Sequence, residues 1–395
     1  MKRVMVFYLS IFVTSCSLDK QSHENLPYID VGKDYPEKEI NLVDIADVTY
    51  IHLNTENDDF LYKGRVNYVT QNTIVVIDRS SESVLFFSKD GKPKSRFNRR
   101  GQGPEEYMRM SDIMYDEATD DVYIFQYYSN YINVYSSYGE YKRRLTLPHK
   151  NIDNQMVFFD DRSILMYDNS KLWQNISNKY TGDITAFTEP IDSTFFLISK
   201  TNGTVLEYIN LPSKNVDLSF ISDNGGFVSY GTPGFTRVRK CPDGFFLYNP
   251  ETDTIFLYSK DKSLTPYLHK KPLLSDLDPM IAMDICMDVG IFQFLSVYPY
   301  LVNGDISPSV KYYMRDKKTG EIFRQQIILP DYKGKEFYIN PRLPNYYAKE
   351  YHFELDLIEL KEAYRENKLS GKLKELVATL NEDEDNNVFM LVNFK

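Results

Sequence analysis

Between residue 37 and about residue 348 the chain falls into short apolar runs broken by turns of Gly, Asp, Asn and Lys. The stretch "TIVVIDRSSESVLFFSKDGKPKSRF" (73–97) holds an apolar run, a polar turn and a second apolar run. Asp90-Gly91 and a third strand follow. The layout recurs in 122–147 around Tyr138-Gly139, in 195–211 around Asn202-Gly203, in 245–268 around Asp261 and in 310–329 around Gly320. Turn positions 91, 139, 203, 261 and 320 are irregularly spaced, by 48 to 64 residues. Repeats of this size predict one meander of three or four strands each, the blades of a propeller with insertions. "IVVI" (74–77) and "VLFF" (84–87) are apolar throughout. That pattern suits strands covered on both faces by neighbouring blades, whereas the wall of a ligand-holding barrel would alternate.

The two ends of the chain supply the closure. An early strand "VTYIHL" (48–53) and a last strand "VFMLVNF" (388–394) are expected to share a blade, which removes exposed edges from the ring. Five repeats plus that blade make six. Ahead of the last strand, Phe353, Leu357, Leu360 and Tyr364 fall at helical spacing, as do Leu369, Leu373, Leu376 and Leu380. The expected fold is therefore all-β: a six-bladed β-propeller over 37–395, with a helical segment at about 350–380 before the ring-closing strand.

The N-terminus changes the picture of where this ring resides. "MKRVMVFYLSIFVTSC" begins with Lys2 and Arg3 and continues with an apolar run from Val4 to Val13, too short for a permanent bilayer span. "VTSC" resembles a bacterial lipobox. The resemblance implies cleavage after residue 15 and acyl chains on Cys16, which would give stable membrane anchoring. The alternative is an ordinary cleaved signal with an incidental cysteine. Residues 16–36, polar and proline-bearing, read as a tether.

Composition adds exclusions. At 42% hydrophobic the chain can bury a sizeable core. A formal charge of −10 with no basic stripe argues against a nucleic-acid partner and against a polybasic lipid patch. Cys241 and Cys286 read as buried thiols, although an exported compartment would permit them to pair.

Three stretches, "ADVTYIHLNTENDD", "VLFFSKDGKPKSRFNRRGQGPEEYMRMSDIMYD" and "EDEDNNVFMLVNFK", resemble the six-bladed β-propeller lipoproteins of Bacteroidetes, distant relatives of NHL-repeat propellers. The resemblance extends over nearly the whole chain after the signal, with 150–300 departing most. It implies an envelope lipoprotein of the outer membrane, facing the periplasm or the surface, and no particular reaction.

The densest punctuation is "FNRRGQGPEEY" (97–107). A phosphate-cradling loop would use Gly101 and Gly103 to expose N–H groups, with Arg99 and Arg100 as charges. No G-K-[ST] follows, however; Pro104 and two acids come instead, and the acids would repel an anion. A crossing between blades explains more residues: the glycines can adopt φ > 0, and Pro104 forces an extended exit. Arg99, Arg100, Gln102 and Glu106 remain ligand-binding candidates. So does Trp173, whose indole could stack on a sugar or simply pack an inserted loop. The histidines are scattered without zinc spacing, no G-x-S-x-G elbow occurs, and "NEDEDNN" (381–387) lacks the spacing of a calcium loop. No catalytic residue, metal or cofactor is assigned. Three readings stay open: a non-catalytic module binding a glycan, peptide or envelope protein; a propeller lyase or hydrolase with an active site at the channel mouth; and a structural subunit of an envelope complex.

Overall fold

The computed structural model describes residues 26–56, 58–126, 129–148, 155–168, 195–212, 220–223, 228–231, 237–249, 252–273, 276–277, 280–299, 310–340 and 349–395. The described chain opens with β1 (Tyr28–Asp30), β2 (Glu37–Asn41) and β3 (Ala46–His52). Blade 1 follows as β4 (Gly64–Val69), β5 (Thr73–Asp78), β6 (Ser83–Ser88) and β7 (Pro93–Phe97), each antiparallel to the next. Blade 2 is β8 (Met110–Asp116), β9 (Asp121–Gln126), β10 (Tyr131–Tyr135) and β11 (Tyr141–Thr146). Blade 3 is β12 (Met156–Phe158), β13 (Ser163–Tyr167), β14 (Phe195–Ser199) and β15 (Val205–Ile209). A two-stranded hairpin, β16 (Phe220–Asp223) and β17 (Val228–Gly231), precedes blade 4.

Blade 4 comprises β18 (Val238–Cys241), β19 (Gly244–Leu247), β20 (Thr254–Ser259) and β21 (Leu264–Lys271). Blade 5 comprises β22 (Ile281–Val289), β23 (Phe292–Pro299), β24 (Lys311–Asp316) and β25 (Ile322–Leu329), with β26 (Tyr332–Phe337) folded back on β25. The sixth blade holds β27 (Glu350–Leu355), β28 (Val388–Phe394) and β3. Its register runs from Val388 opposite His52 to Phe394 opposite Ala46, so the ring closes between the two ends of the chain, as expected. The protein is a six-bladed β-propeller.

Burial follows from this arrangement. Every residue of β5 and β9 is buried, because a blade is covered on both faces. Apolar clusters fill each seam in turn. One joins blades 1 to 3 through Phe86, Tyr123 and Phe196, and another joins blades 4 and 5 through Phe246 and Leu295. The helices Leu357–Arg365 and Gly371–Thr379 bury Leu360, Leu373 and Val377 against Phe294 of blade 5 and Met390 of blade 6. The helical segment is thus shorter than expected. Residues 350–355 form β27, because Phe353 pairs with Met390 across a sheet; its helical spacing to Leu357 is coincidental.

The turns read from sequence are the third-to-fourth-strand turns of blades 1 to 5. Gly91 has φ +87°, and a Cβ there would sit 2.0 Å from the His52 carbonyl oxygen on the preceding blade. Gly139 (φ +81°) abuts Phe97 of blade 1 in the same way. Glycine is needed at both because left-handed backbone and close approach coincide.

One feature departs from expectation. The tether expected over 16–36 is not loose from residue 28 onward. β1 pairs in parallel with β21, from Tyr28 opposite His269 to Asp30 opposite Lys271. β2 pairs in parallel with β25, from Glu37 opposite Arg324 to Asn41 opposite Ile328. The N-terminal segment therefore straps the outer edges of blades 4 and 5 before entering blade 6. Cys241 and Cys286 are both buried free thiols, and burial raises both pKa values, that of Cys241 to about 12.

Candidate functional site

The crossing at 97–107 joins β7 to β8. Its backbone closes on itself: Gly101 N–H donates to Tyr107 O (3.0 Å) and Tyr107 N–H to Arg99 O (3.0 Å). Tyr107 is fully buried, and its hydroxyl donates to Glu82 O at 2.7 Å. Gly103 N–H donates to Glu106 Oε2 at 2.8 Å, so the chain's own carboxylate occupies the place a phosphate would take. Neither Gly101 nor Gly103 has a positive φ, which corrects the expected reason for these glycines. A Cβ on Gly101 would lie 1.9 Å from Glu106 Oε2, so the absence of a side chain, not handedness, lets the carboxylate sit in the loop. Arg99 Nε donates to Gly139 O at 2.7 Å, stitching blade 1 to blade 2. Arg99, Arg100 and Gln102 are exposed, and Glu106 is half-buried. Asn133 Nδ2 and the Tyr135 hydroxyl hold the carbonyls of Glu106 and Glu105 from below.

A different set of residues meets at the other end of β8. The first-to-second-strand turns of blades 1 and 2, with the inner strands of blades 3 and 4, enclose a cavity of about 540 Å³. Tyr68, Tyr115 and Phe158 give it an aromatic wall, and the amides of Gln71 and Asn72 face it from blade 1. Asp116 and Glu117 contribute carboxylates, and Lys240 contributes an amine from blade 4. One inner strand, β8, separates this mouth from the crossing, roughly 20 Å at the usual strand rise.

The charges of the mouth are held in place. Lys200, almost fully buried, donates to Asp116 Oδ2 at 2.5 Å and lies 4.5 Å over the Phe158 ring. Glu117 accepts from Thr73 Oγ1, and from Asn72 Nδ2 at 3.1 Å, which ties the turn of blade 2 to that of blade 1. Lys94 Nζ stands 4.0 Å from Glu117 and donates to Thr73 Oγ1 at 2.8 Å. Burial, reinforced by Lys260, lowers the Lys240 pKa. Burial and the nearby Asp120 carboxylate raise that of Tyr115.

A further polar place lies within the ring. Asp284 on the inner strand of blade 5 is 2% exposed, and its Oδ2 has no hydrogen-bond partner. Burial raises its pKa to about 7, against the pull of Arg239 and Arg237. Among the described residues no group of three His, Cys, Asp or Glu is placed to hold a metal. Cys16 and Trp173 lie outside the described residues.

The mouth was not found by sequence reasoning, although a signal for it exists. An aromatic residue sits at or next to the end of each inner strand of blades 1 to 3, at Tyr68, Tyr115 and Phe158, just ahead of the first turn.

Comparison with known proteins places the fold. The family model of a domain of unknown function, DUF4934, matches residues 26–271. The match begins beside β1 and ends with β21, the two strands that pair in parallel. A Bacteroides fragilis protein described as exported is similar in structure, with TM-score 0.61 at 16% identity, covering 93% of this chain and 99% of its own. A Bacteroides vulgatus member of the DUF4221 family aligns with TM-score 0.42 at 12% identity, over 89% of this chain and 97% of its own. Curated proteins gave no match.

Proposed function

The chain belongs to the DUF4934 family. From that premise we propose that it is an exported, lipid-anchored propeller that binds a hydroxyl-rich ligand, a glycan, at the mouth beside Tyr68 and Asn72 without turning it over. The observation that carries this reading is the make-up of the cavity. Aromatic faces beside amide and carboxylate groups suit sugar rings, whose C–H faces stack while their hydroxyls both donate and accept. A volume of about 540 Å³ suits a short oligosaccharide segment. The non-catalytic part of the reading is supported by the state of the two acids. Asp116 is paired with Lys200, and Glu117 is hydrogen-bonded to Thr73 and Asn72, so neither stands poised as a general acid. Export and anchoring at Cys16 are supported by the signal-like N-terminus and by the exported description of the B. fragilis relative.

Glycan and peptide arrays probed with the chain from residue 26 onward test the reading. Saturable binding to one glycan class, with the ligand recovered intact, is expected. Binding to peptides alone, or release of cleaved product, would overturn it.

A further inference from the structure

Three elements go beyond the four strands of a blade: the strap strand β2, the fold-back strand β26, and the loop 366–370 between the two C-terminal helices. They meet around β25 and enclose a second cavity, of about 530 Å³, which shares no lining residue with the mouth. β2 and β26 take opposite edges of β25, with Ile327 between Ile40 and Phe337. The pairing of β26 then slips. Ile328 faces Glu336 but Leu329 faces Tyr332, so Lys333-Gly334-Lys335 bulges out, turning at Gly334 with φ +79°. The loop ties the bulge down: Lys333 N–H donates to Lys368 O (2.9 Å), and Ser370 N–H to Asp331 O (3.0 Å).

The cavity has a small apolar floor and a charged rim. Ile328, half-buried, forms the floor with Tyr332 and Leu369 beside it. On the rim, Lys335 pairs with Glu359 and Lys368 with Glu366, both at 2.6 Å, and neither carboxylate lines the cavity. Among the described residues Lys333 has no ion pair. Of the two rim carboxylates, Glu336 already accepts from Gln326 Nε2 at 3.1 Å and from the Tyr338 hydroxyl. Glu39 stands exposed across β25 from Lys333 and Lys335.

We propose that this cavity docks an extended peptide segment of a partner protein, in which one apolar side chain is flanked by acidic ones. An apolar centre inside a polar rim is the anatomy of a protein-recognition surface. The apolar side chain rests on Ile328 and the lysine stems, and its acidic neighbours meet Lys333, Lys335 and Lys368. Glu39 is left to accept a main-chain N–H. A sugar suits this place less than it suits the mouth, because the one aromatic ring, Tyr332, is only 8% exposed and offers no face to stack on. A free phosphate would leave the apolar floor uncovered.

Fluorescence anisotropy of the full chain with a labelled peptide, Ser-Glu-Asp-Leu-Asp-Glu-Ser, tests this. Saturable binding is expected, at least tenfold tighter than for the same peptide with serine in place of leucine or with Lys and Arg in place of the acids. Lys333→Glu should weaken the acidic peptide about tenfold and strengthen the basic one, with the melting temperature unchanged because no ion pair is lost. Glycan binding at the mouth should not respond to Lys333→Glu, so the two sites stand or fall separately. Absence of binding, equal binding of acidic and basic peptides, or indifference to Lys333→Glu would overturn the proposal. So would a dimer that Lys333→Glu dissociates, because the acidic run 381–387 of a second copy would then be the occupant.

Discussion

The crossing at 97–107 and the mouth at the other end of β8 are both rich in polar residues, and they use them in opposite ways. In the crossing the chain answers its own groups: Glu106 fills the loop, Tyr107 anchors it, and Arg99 reaches Gly139. In the mouth the turns are short and bonded to one another through Asn72 and Glu117, so side chains such as Gln71 are left to line a cavity. Glycine and arginine punctuation therefore marks where a chain has a difficult path to follow. A site is found where the path is easy and side chains, even paired ones, face a cavity.

The comparison can be broken at Gly101. Gly101→Val would push the Glu106 carboxylate off Gly103 N–H and should lower unfolding free energy by about 1 kcal/mol in chemical denaturation. A loop kept for ligand contact would instead tolerate it in the absence of ligand.

Asp284 asks whether the polar place inside the ring belongs to the scaffold. Its folded pKa, about 7, lies above the ordinary carboxyl value of 3.8. The folded state thus holds a proton that the unfolded state releases. This contribution is complete below about pH 4 and is lost as pH rises through about 7. Asp284→Asn should flatten the fall in stability between pH 4 and 8, by on the order of 4 kcal/mol. An unchanged pH profile would mean that the carboxylate is better solvated than its burial indicates.

At the mouth, Gln71→Ala with Asn72→Ala should weaken glycan binding about tenfold, or ~1.4 kcal/mol by calorimetry; Gln71→Ala should leave the melting temperature nearly unchanged, whereas Asn72→Ala should lower it through the lost bond to Glu117. The smallest effect belongs to Arg100→Ala, whose side chain is exposed: binding and stability should both stay within error. Arg99→Ala should cost about 1 kcal/mol of stability through the lost bond to Gly139 O and leave affinity alone.

Much of the ring was legible because its turns are chemically loud. Gly91, Gly139, Gly203 and Gly320 are glycines at positive φ, and their spacing gave the blades. The closing pair β3 and β28 was legible because both are apolar strands at opposite ends of the chain. The strap was not, since "EKEIN" shows neither alternation nor an apolar run and is held by main-chain pairing to a distant strand. β27 was misread because a single phenylalanine fell four residues before a true helix. The mouth was hidden for a similar reason. Gln71, Asn72, Asp116 and Glu117 sit in ordinary polar turns, and only ring closure brings blades 1 to 4 around one cavity.

Exchange mapping of a bound glycan fraction tests the central claim most directly. On titration, amides of 68–73 and 115–118 are predicted to become protected while those of 98–107 do not change. Protection confined to 98–107 would contradict the account and return the site to the crossing.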